Sequence, residues 1–259
     1  MILPQSRLHF ARYLLLSLIL IAVSALAFGY GTRSFEAYCP FGGPESLWGL
    51  FTAGEFSCAL GPLNLSMFLA VIALTIVSKK SFCGWACPIG FLGELGGRLG
   101  GVIWKKRPVI PSVANTWAKL VRYIVLILVL FFTYKTGELV LRGYDPFYLI
   151  FSGIGHGTAG AISIGVLVLL VAGALTIPMF FCRYLCPLTA TFDPFARLGL
   201  VKVVRNVSAC TACGNCSRAC PHDIQVHTLP VVRHRDCTNC LECLTNCPEQ
   251  RVLELRAKL

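Results

Sequence analysis

The stretch that decides the fold reads CTACGNCSRACP at residues 210–221 and CTNCLECLTNCP at residues 237–248. Both halves space their cysteines as Cys-x2-Cys-x2-Cys-x3-Cys-Pro. The spacing is typical of two [4Fe-4S] clusters, because a tight loop reaches three corners of an iron–sulfur cube and the fourth Cys binds the other cube. We therefore predict two clusters. Their predicted ligands are Cys210, Cys213, Cys216 and Cys247 for cluster one, and Cys237, Cys240, Cys243 and Cys220 for cluster two.

Two structural zinc sites are the alternative for eight clustered cysteines, since a structural zinc ion takes four ligands. Zinc ribbons usually pair two Cys-x2-Cys knuckles and lack the third Cys and the Cys-Pro ending. The duplicated spacing therefore favours iron–sulfur clusters over zinc and over a disulfide scaffold. The stretch resembles a bacterial-type ferredoxin domain with two clusters, which implies a small α+β domain over residues 201–259.

The composition of the whole chain is that of a membrane protein. Hydrophobic residues make up 56% of its 259 residues, only 14% are charged, and the mean hydropathy is +0.70. Soluble enzymes are more polar than this. The formal net charge is +11, but the basic residues flank apolar stretches. We attribute them to membrane topology and expect no nucleic-acid partner.

Four apolar stretches are long enough to cross a bilayer as helices. We predict spans at residues 13–30, 60–78, 119–136 and 159–181, within a membrane domain of residues 1–200. A cleaved signal peptide is the alternative for the first span, because Ala25-Leu26-Ala27 resembles a processing site. The Gly-rich residues 89–104 are predicted to form an interfacial helix or loop.

Lysine and arginine are distributed unevenly between the connections. The N-terminal segment has two, residues 79–122 have eight and the segment after the fourth span has ten, whereas the two other loops share three. Basic residues concentrate in cytoplasmic segments. We therefore predict that both termini and the ferredoxin domain are cytoplasmic, and that the loops around Cys39 and Tyr144 face outward.

The membrane domain contains an internal repeat. The motif Phe-Cys-x3-Cys-Pro at 82–88 recurs 99 residues later at 181–187, and Tyr-Cys-Pro-Phe at 38–41 corresponds to Tyr-Asp-Pro-Phe at 144–147. Each repeat unit, about residues 10–105 and 115–200, contains two spans. We predict an α-helical membrane protein with four transmembrane helices in two parallel repeated hairpins, related by a pseudo-two-fold axis along the membrane normal.

The repeated Cys-x3-Cys-Pro motifs suggest a third redox centre. If the second span continues as a helix through residue 87, its two cysteines lie one turn apart on the same face. The repeat then brings four thiols together at the cytoplasmic face: Cys83, Cys87, Cys182 and Cys186. Basic residues nearby are predicted to lower the thiol pKa values, namely Lys79, Lys80 and Arg183. A disulfide within each pair, or four packed core thiols, are the alternatives.

The paired Cys-x3-Cys-Pro motifs, the four spans and the C-terminal ferredoxin domain together resemble the NapH-type membrane ferredoxins, which have relatives of the NosR type. The resemblance covers nearly the whole chain from residue 13 onward, and Cys39 is not part of the family pattern. It implies a quinol dehydrogenase component of the bacterial inner membrane that passes electrons from quinol toward a respiratory reductase system. The implied partners are quinol and a protein redox partner, such as a cytochrome or an iron–sulfur subunit.

Other cofactors have no motif in this sequence. There is no Cys-x-x-Cys-His for c-type haem, and no nucleotide fingerprint or Walker loop for NAD or ATP. Of the five His, only His156 is predicted near the outer membrane face, so we expect no bis-His haem. An accessory role in the assembly or redox sensing of a respiratory enzyme is the alternative function, by fold-level resemblance.

Two further hypotheses concern the outer loops. Cys39 and Cys58 both belong to the predicted first outer loop, where the compartment permits a disulfide, and two unrelated thiols are the alternative. Tyr144, Asp145 and His156 form a hypothetical quinone site, because proton exchange with quinol needs a group such as His that titrates near neutrality. A solvated loop histidine is the alternative there.

Overall fold

The computed structural model describes residues 5–29, 42–53, 61–104, 111–136, 145–153, 161–249 and 251–257. These residues are mostly helical and include a two-stranded sheet near the C-terminal end. In chain order the elements are α1 (Gln5–Gly29), α2 (Gly42–Ala53), α3 (Gly61–Ser78), α4 (Ser81–Trp85), α5 (Pro88–Ile103), α6 (Ser112–Ala118), α7 (Val121–Thr136), α8 (Pro146–Tyr148), a π-helical turn (Leu149–Gly153), α9 (Ala161–Thr176), α10 (Phe180–Tyr184), α11 (Pro187–Leu198), β1 (Val201–Arg205), α12 (Asn215–Arg218), a 3-10 turn (Val226–Thr228), α13 (Glu242–Thr245) and β2 (Leu253–Ala257).

Apolar helices occupy all four stretches that the sequence predicts as spans. Two of them, Arg7–Ala27 and Val113–Lys135, are long and apolar enough to cross a bilayer. The helices over Pro62–Ser78 and Ile164–Thr176 are apolar but shorter. The two long helices are consistent with a membrane protein, and the four-span arrangement stays a prediction.

The second predicted span does not continue as one helix to Cys87. Helix α3 ends at Ser78, and Lys79 takes a left-handed conformation with φ of 59°. The short helix α4 carries Cys83, whereas Cys87 lies beyond its end and donates its backbone N–H to the carbonyl oxygen of Phe82 at 2.9 Å. The condition that one helix continues through Cys87 is therefore not met, because a left-handed residue interrupts the α-helical path.

The second repeat has the same local structure. Helix α9 is followed by Met179 with φ of 55°, then by α10 with Cys182, and Cys186 bonds back to the first residue of its motif at 2.9 Å. Pro88 and Pro187 each occupy the first position of the next helix, α5 and α11. Proline is favourable there because its fixed φ suits a helix start and its missing N–H is not needed.

Close packing explains the glycines of α5. A Cβ built on Gly97 would lie 2.7 Å from Cα of Pro178, and one on Gly100 would overlap the carbonyl oxygen of Leu175. The Gly-rich stretch is therefore a helix whose backbone approaches the end of α9.

The ferredoxin region is built on the sheet of β1 and β2. The strands are antiparallel, with Val201 opposite Ala257 and Arg205 opposite Leu253. The same region has a buried hydrophobic core, which includes two of the predicted cluster ligands, Cys216 and Cys237. Its members are Val203, Cys216, Ile224, Val226, Val232, Cys237, Leu241, Leu244, Val252 and Leu253.

The chain divides into two compact units. The first contains Met1–Ile19, Ile72–Phe91 and Phe192–Leu259, and the second contains Leu20–Val71 and Leu92–Thr191. The ferredoxin region thus shares a unit with the start of α1 and the end of α3. The domain boundary predicted at residue 200 stays a prediction, since this grouping follows contacts and not chain order.

Candidate functional site

The two predicted cluster loops have the same backbone conformation. The second and fourth positions after the first Cys have positive φ in both loops, at Ala212 (54°) and Gly214 (75°) and at Asn239 (47°) and Leu241 (66°). A one-turn helix follows in each case, α12 and α13. Turns with left-handed residues aim backbone N–H groups into a concave site, which suits an anionic iron–sulfur cluster.

The four cysteines predicted for cluster one line a single pocket. Three of them belong to the first loop, and the fourth, Cys247, comes from the end of the second motif. The remaining lining residues are Arg205, Thr211, Gly214, His227, Pro248, Glu249, Val252 and Leu253. The fold therefore brings together side chains that are far apart in the chain.

The thiols around this cavity act on one another. Burial raises the pKa of Cys247, and the charges of Cys216, Cys213 and Cys210 raise it further. The pKa of Cys210 is lowered, because the backbone N–H of Ala212 and the side chain of Arg205 hydrogen-bond to it. Arg205 thus places a positive charge beside the predicted cluster one.

The thiols predicted for cluster two form a second group. Burial raises the pKa of Cys243 well above its usual value, and neighbouring thiols raise it further: Cys240, Cys237, Cys220 and Cys216. Three of these neighbours are the predicted co-ligands of Cys243, and the fourth belongs to the adjacent cluster one. The grouping agrees with the predicted exchange of the fourth Cys between the loops, while the role of these thiols as ligands stays a prediction.

The donor sets fit clusters better than single ions. Within the described ranges, no three Cys, His, Asp or Glu side chains converge closely enough to hold one metal ion. A zinc ion needs all its sulfur ligands at about 2.3 Å from one atom. A cube binds each thiolate at its own corner, so thiols grouped around a cavity suit it.

The Cys-x3-Cys segment of the first repeat packs against the second cluster loop. Trp85 donates from Nε1 to the carbonyl oxygen of Asn239 at 2.9 Å, and its ring packs on the ferredoxin core. A Cβ on Gly84 would lie 2.9 Å from the carbonyl oxygen of Thr238. Both residues belong to segment 83–87, so the membrane-side cysteine motif and the ferredoxin motif share one packed contact.

Lys80 is buried beneath the same loop in a carboxylate pair. Its Nζ donates to Oδ1 of Asp193 at 2.6 Å and lies 3.6 Å from Oδ1 of Asp236. All three side chains are almost fully buried. The pair is therefore strongly coupled, because charges taken out of water need close partners.

Lys79 is also buried but has different partners. Its Nζ donates to the carbonyl oxygens of Val232 at 2.6 Å and His234 at 3.2 Å. Burial lowers its pKa, while the charge of the Cys237 thiolate raises it. The lysine therefore lies within electrostatic reach of a predicted ligand of cluster two.

The start of α1 is tied to the same region through Glu242. His9, Arg12 and Tyr13 share one face of the helix, because they are three and four residues apart. Their polar atoms lie 2.8, 3.0 and 2.9 Å from Oε1 of Glu242. The Nε atom of Arg12 also donates to the carbonyl oxygen of Gly84 at 2.8 Å, and the arginine is fully buried.

The four cysteines predicted to hold a third centre are all buried. Cys83 and Cys87 belong to the first compact unit, and Cys182 and Cys186 to the second. The third centre stays a prediction.

The predicted effect of nearby basic residues on these thiols is wrong for Cys186. Burial raises its pKa instead, and Asp145 adds to the increase. Arg183 donates to Oδ1 of Asn115 at 3.1 Å, where Tyr184 also donates at 2.9 Å. The side chain of Arg183 is thus engaged with an amide.

The segment around Asp145 is not an open loop. Asp145 is 5% exposed and caps α8 by accepting a hydrogen bond from the N–H of Phe147 at 3.2 Å. It acts on the Cys186 thiol, although the two were predicted at opposite membrane faces. The outward orientation predicted for this loop stays a prediction. The remaining outer-loop residues lie outside the described residues, so the disulfide and the quinone site stay predictions: Cys39, Cys58, Tyr144 and His156.

Sequence reasoning missed three residues that pack on the second cluster loop, namely Arg12, Gly84 and Trp85, and the partner of Arg12, Glu242, within the motif itself. Lys79 and Lys80 were predicted as neighbours of the Cys-x3-Cys thiols, and their burial against the ferredoxin region was not predicted. A local signal existed for part of this set. Asp236 and Glu242 stand directly before two predicted ligands, in a chain with only 12 acidic residues. Acidic groups beside an anionic cluster indicate that buried cations lie close by.

Two family descriptions match the chain. A 4Fe-4S binding domain matches twice, at residues 60–107 and 158–206, and a 4Fe-4S dicluster domain matches residues 202–248. The two matches of the first family cover the two Cys-x3-Cys-Pro motifs. These matches support 4Fe-4S clusters as the cofactors of the chain.

The chain is similar to curated ferredoxin-type proteins. It is 31% identical to the putative electron transport protein YccM of Escherichia coli, over 82% of this chain and 61% of that protein. It is 30% identical to the methylamine utilization ferredoxin-type protein MauN of Methylobacillus flagellatus, over 73% and 68%. It is 25% identical to the ferredoxin-type protein NapH of Escherichia coli, over 70% and 63%. The chain thus spans less than two thirds of YccM and of NapH. No solved structure matches it.

The similarity to MauN extends over more than two thirds of both proteins. The chain belongs to the NapH-type family of 4Fe-4S membrane ferredoxins.

Proposed function

We propose that the chain is a membrane-bound iron–sulfur electron-transfer protein that passes electrons from membrane quinol toward a respiratory reductase system. It spans the bacterial inner membrane four times, with both termini on the cytoplasmic side. Two [4Fe-4S] clusters in the ferredoxin domain, held by the two predicted sets of four cysteines, carry the electrons. The four membrane-side cysteines hold a third iron–sulfur centre.

The contact between the two cysteine motifs is the observation that carries this proposal. Gly84 and Trp85, inside the first Cys-x3-Cys segment, pack directly on Thr238 and Asn239 of the second cluster loop. The first Cys-x3-Cys segment is thereby fixed against the loop that carries three of the predicted ligands of cluster two. This contact suits a relay, because a redox protein must fix its centres relative to one another.

The names of the relatives support the same chemistry. YccM is named a putative electron transport protein, and NapH and MauN are named ferredoxin-type proteins. We infer a soluble or membrane-bound protein redox partner for this chain, such as a cytochrome or an iron–sulfur subunit. The chain's own residues have the tasks of binding the clusters, excluding water on the membrane side and presenting cluster one to that partner.

Quinol oxidation is the direct test. Anaerobic membranes that contain the protein receive a quinol analogue, and electron paramagnetic resonance records cluster reduction, with dithionite as the reference for full reduction. We expect quinol to reduce both ferredoxin clusters. If dithionite reduces them and quinol does not, the conduit is wrong and an accessory role in assembly or sensing is favoured.

The third centre has its own test. Iron and acid-labile sulfide are measured on the anaerobically purified protein and on a variant in which four cysteines are replaced by serine: Cys83, Cys87, Cys182 and Cys186. We expect less iron and sulfide in the variant, and loss of reduction by quinol but not by dithionite. Equal iron and sulfide contents in both preparations would remove the third centre from the proposal.

A further inference from the structure

Lys79 is a fully buried cation that lacks a carboxylate partner among the described residues. Within that part of the chain its ammonium donates to the carbonyl oxygens of Val232 and His234, whereas the adjacent Lys80 pairs with Asp193 and Asp236. A buried charge without a counter-charge is costly, because the interior does not replace the solvation that water gives. Two carbonyl dipoles do not neutralise a full positive charge, so a further negative group is expected nearby.

That negative group lies on the predicted cluster two. The carbonyl oxygen of His234 accepts hydrogen bonds from the Lys79 ammonium and from the backbone N–H of Cys237, each at 3.2 Å, so the two residues are direct neighbours. The charge of each acts on the other. When Cys237 and its three co-ligands bind an oxidised cube, the cluster with its four thiolates carries roughly two negative charges. These charges are stronger and more permanent than that of a single thiolate. The cluster is therefore the counter-charge that the ammonium lacks.

Two independent features hold Lys79 in this place. Its backbone is left-handed, with φ of 59°, a conformation that disfavours side chains larger than glycine. Gly199 leaves room for its stem, since a Cβ there would overlap Cγ of Lys79. The chain thus accepts backbone strain at one residue and a missing side chain at another. Both features serve to direct one ammonium toward the second cluster loop.

We propose that the ammonium of Lys79 is the buried counter-ion of cluster two and raises the reduction potential of that cluster. This inference rests on the proposed function, because it takes Cys237 as a cluster ligand. One-electron reduction adds one negative charge to the cluster, and the electron comes from the membrane-side donor. A fixed positive charge stabilises the reduced form more than the oxidised form, so it raises the potential.

The test is a redox titration of the whole purified protein, followed by electron paramagnetic resonance of both clusters. Lys79→Gln keeps donors for the two carbonyl groups but removes the charge. At a fixed ambient potential, we expect the ratio of reduced to oxidised cluster two to fall about tenfold, which equals a shift of about 59 mV for a one-electron couple. Cluster one, which has Arg205 beside it, is expected to change less.

Lys202→Gln is the matched control. Lys202 acts electrostatically on Lys79 and is partly exposed. The Lys202→Gln substitution therefore removes an equal charge close to Lys79. Because solvent screens an exposed charge, we expect the ratio of reduced to oxidised cluster two in Lys202→Gln to change by less than about twofold. The proposal would be overturned if the reduction potential of cluster two shifted equally in both variants, or if it did not shift in Lys79→Gln while both clusters were retained.

Lys79→Arg covers the case in which Lys79→Gln loses cluster two altogether. An arginine variant that retains the cluster near its original potential supports a role of the charge. Loss of cluster two in both variants means that the position serves shape alone, which contradicts the proposal. A wild-type protein without a second cluster overturns the cluster assignment itself, so the two failures are distinguishable.

Discussion

The two cluster loops share their cysteine spacing and backbone conformation but lie in opposite environments. In the first loop, residues 211–213 are exposed to solvent. In the second loop, the equivalent residues 238 and 239 are buried and residue 240 is half-buried. The same cysteine spacing therefore occurs in one loop that is open to solvent and in one loop that is covered by other residues.

The cover of the second loop comes from outside the ferredoxin motif. Three segments contribute to it: the start of α1 with Arg12, the turn after α3 with Lys79 and Lys80, and the first Cys-x3-Cys segment with Trp85. The difference indicates a direction in the proposed relay. We propose that electrons enter at cluster two, beside the covered loop, and leave at cluster one, beside the open loop.

Removal of Arg12 is expected to have the largest effect on this arrangement. Arg12→Ala leaves Glu242 buried without its strongest counter-charge, and the breaking of a buried pair costs about 3 kcal/mol or more. For a chain of this size the apparent Tm should fall by roughly 6–12 °C. Thermal denaturation in detergent, followed by the cluster absorbance, measures the shift.

Arg218→Ala is the control on the side of cluster one. Arg218 is exposed and bonds to the carbonyl oxygen of Cys213 and to Asn215. Exposed contacts of this kind contribute less than about 0.5 kcal/mol. A loss of stability in this variant as large as that in Arg12→Ala would mean that the two loops are not differently supported.

A methyl group at Gly84 should have an intermediate effect. In Gly84→Ala the new Cβ lies 2.9 Å from the carbonyl oxygen of Thr238, and backbone does not yield easily. Overpacking of this kind costs about 1–3 kcal/mol. We expect a lower apparent Tm and an altered electron paramagnetic resonance signal from cluster two, with the signal of cluster one unchanged.

Gly165→Ala provides the control for the added methyl group. A Cβ at Gly165 in α9 meets no atom within 4 Å, and alanine favours a helix over glycine by about 1 kcal/mol. This variant should be neutral or slightly more stable. The comparison between the loops would lose its packing basis if Gly84→Ala were equally harmless.

The smallest expected difference is in how readily chelator and oxygen reach the two clusters. When the wild-type protein is exposed to a chelator and oxygen, cluster one should disappear severalfold faster than cluster two, because its loop is open to solvent. The two signals followed over time give the two rates. Equal rates, or faster loss of cluster two, would contradict the cover described for the second loop.

The eight-cysteine motif predicted more of the site than any other part of the sequence. Its spacing alone grouped Cys247 with the first loop and Cys220 with the second, and the thiols lie near those partners in the structure. Local spacing is sufficient here because three ligands of each cluster lie within one short loop. The repeat of the Cys-x3-Cys-Pro segments was equally visible, since it preserved residue types at a constant offset.

The burial and the partners of the basic residues could not be predicted from the sequence. Lys79 and Arg12 flank apolar stretches, and the same pattern arises whether such charges are solvated or buried. Their partners lie 153 and 230 residues away along the chain, so no local pattern connects them. The helix break at Lys79 was also not visible, because neither glycine nor proline marks it.

The pair of Arg12 and Glu242 has a consequence for biosynthesis. Its two members are made 230 residues apart, so the arginine is synthesised long before the carboxylate that it needs. Contacts between such distant positions form late in folding, after the intervening chain has been ordered. A ribosome that stops before residue 242 leaves a helix with an arginine that lacks this counter-charge, a partly folded state of the kind that chaperones and proteases handle. The contact thus links the anchorage of the first helix to the completion of the last cluster loop.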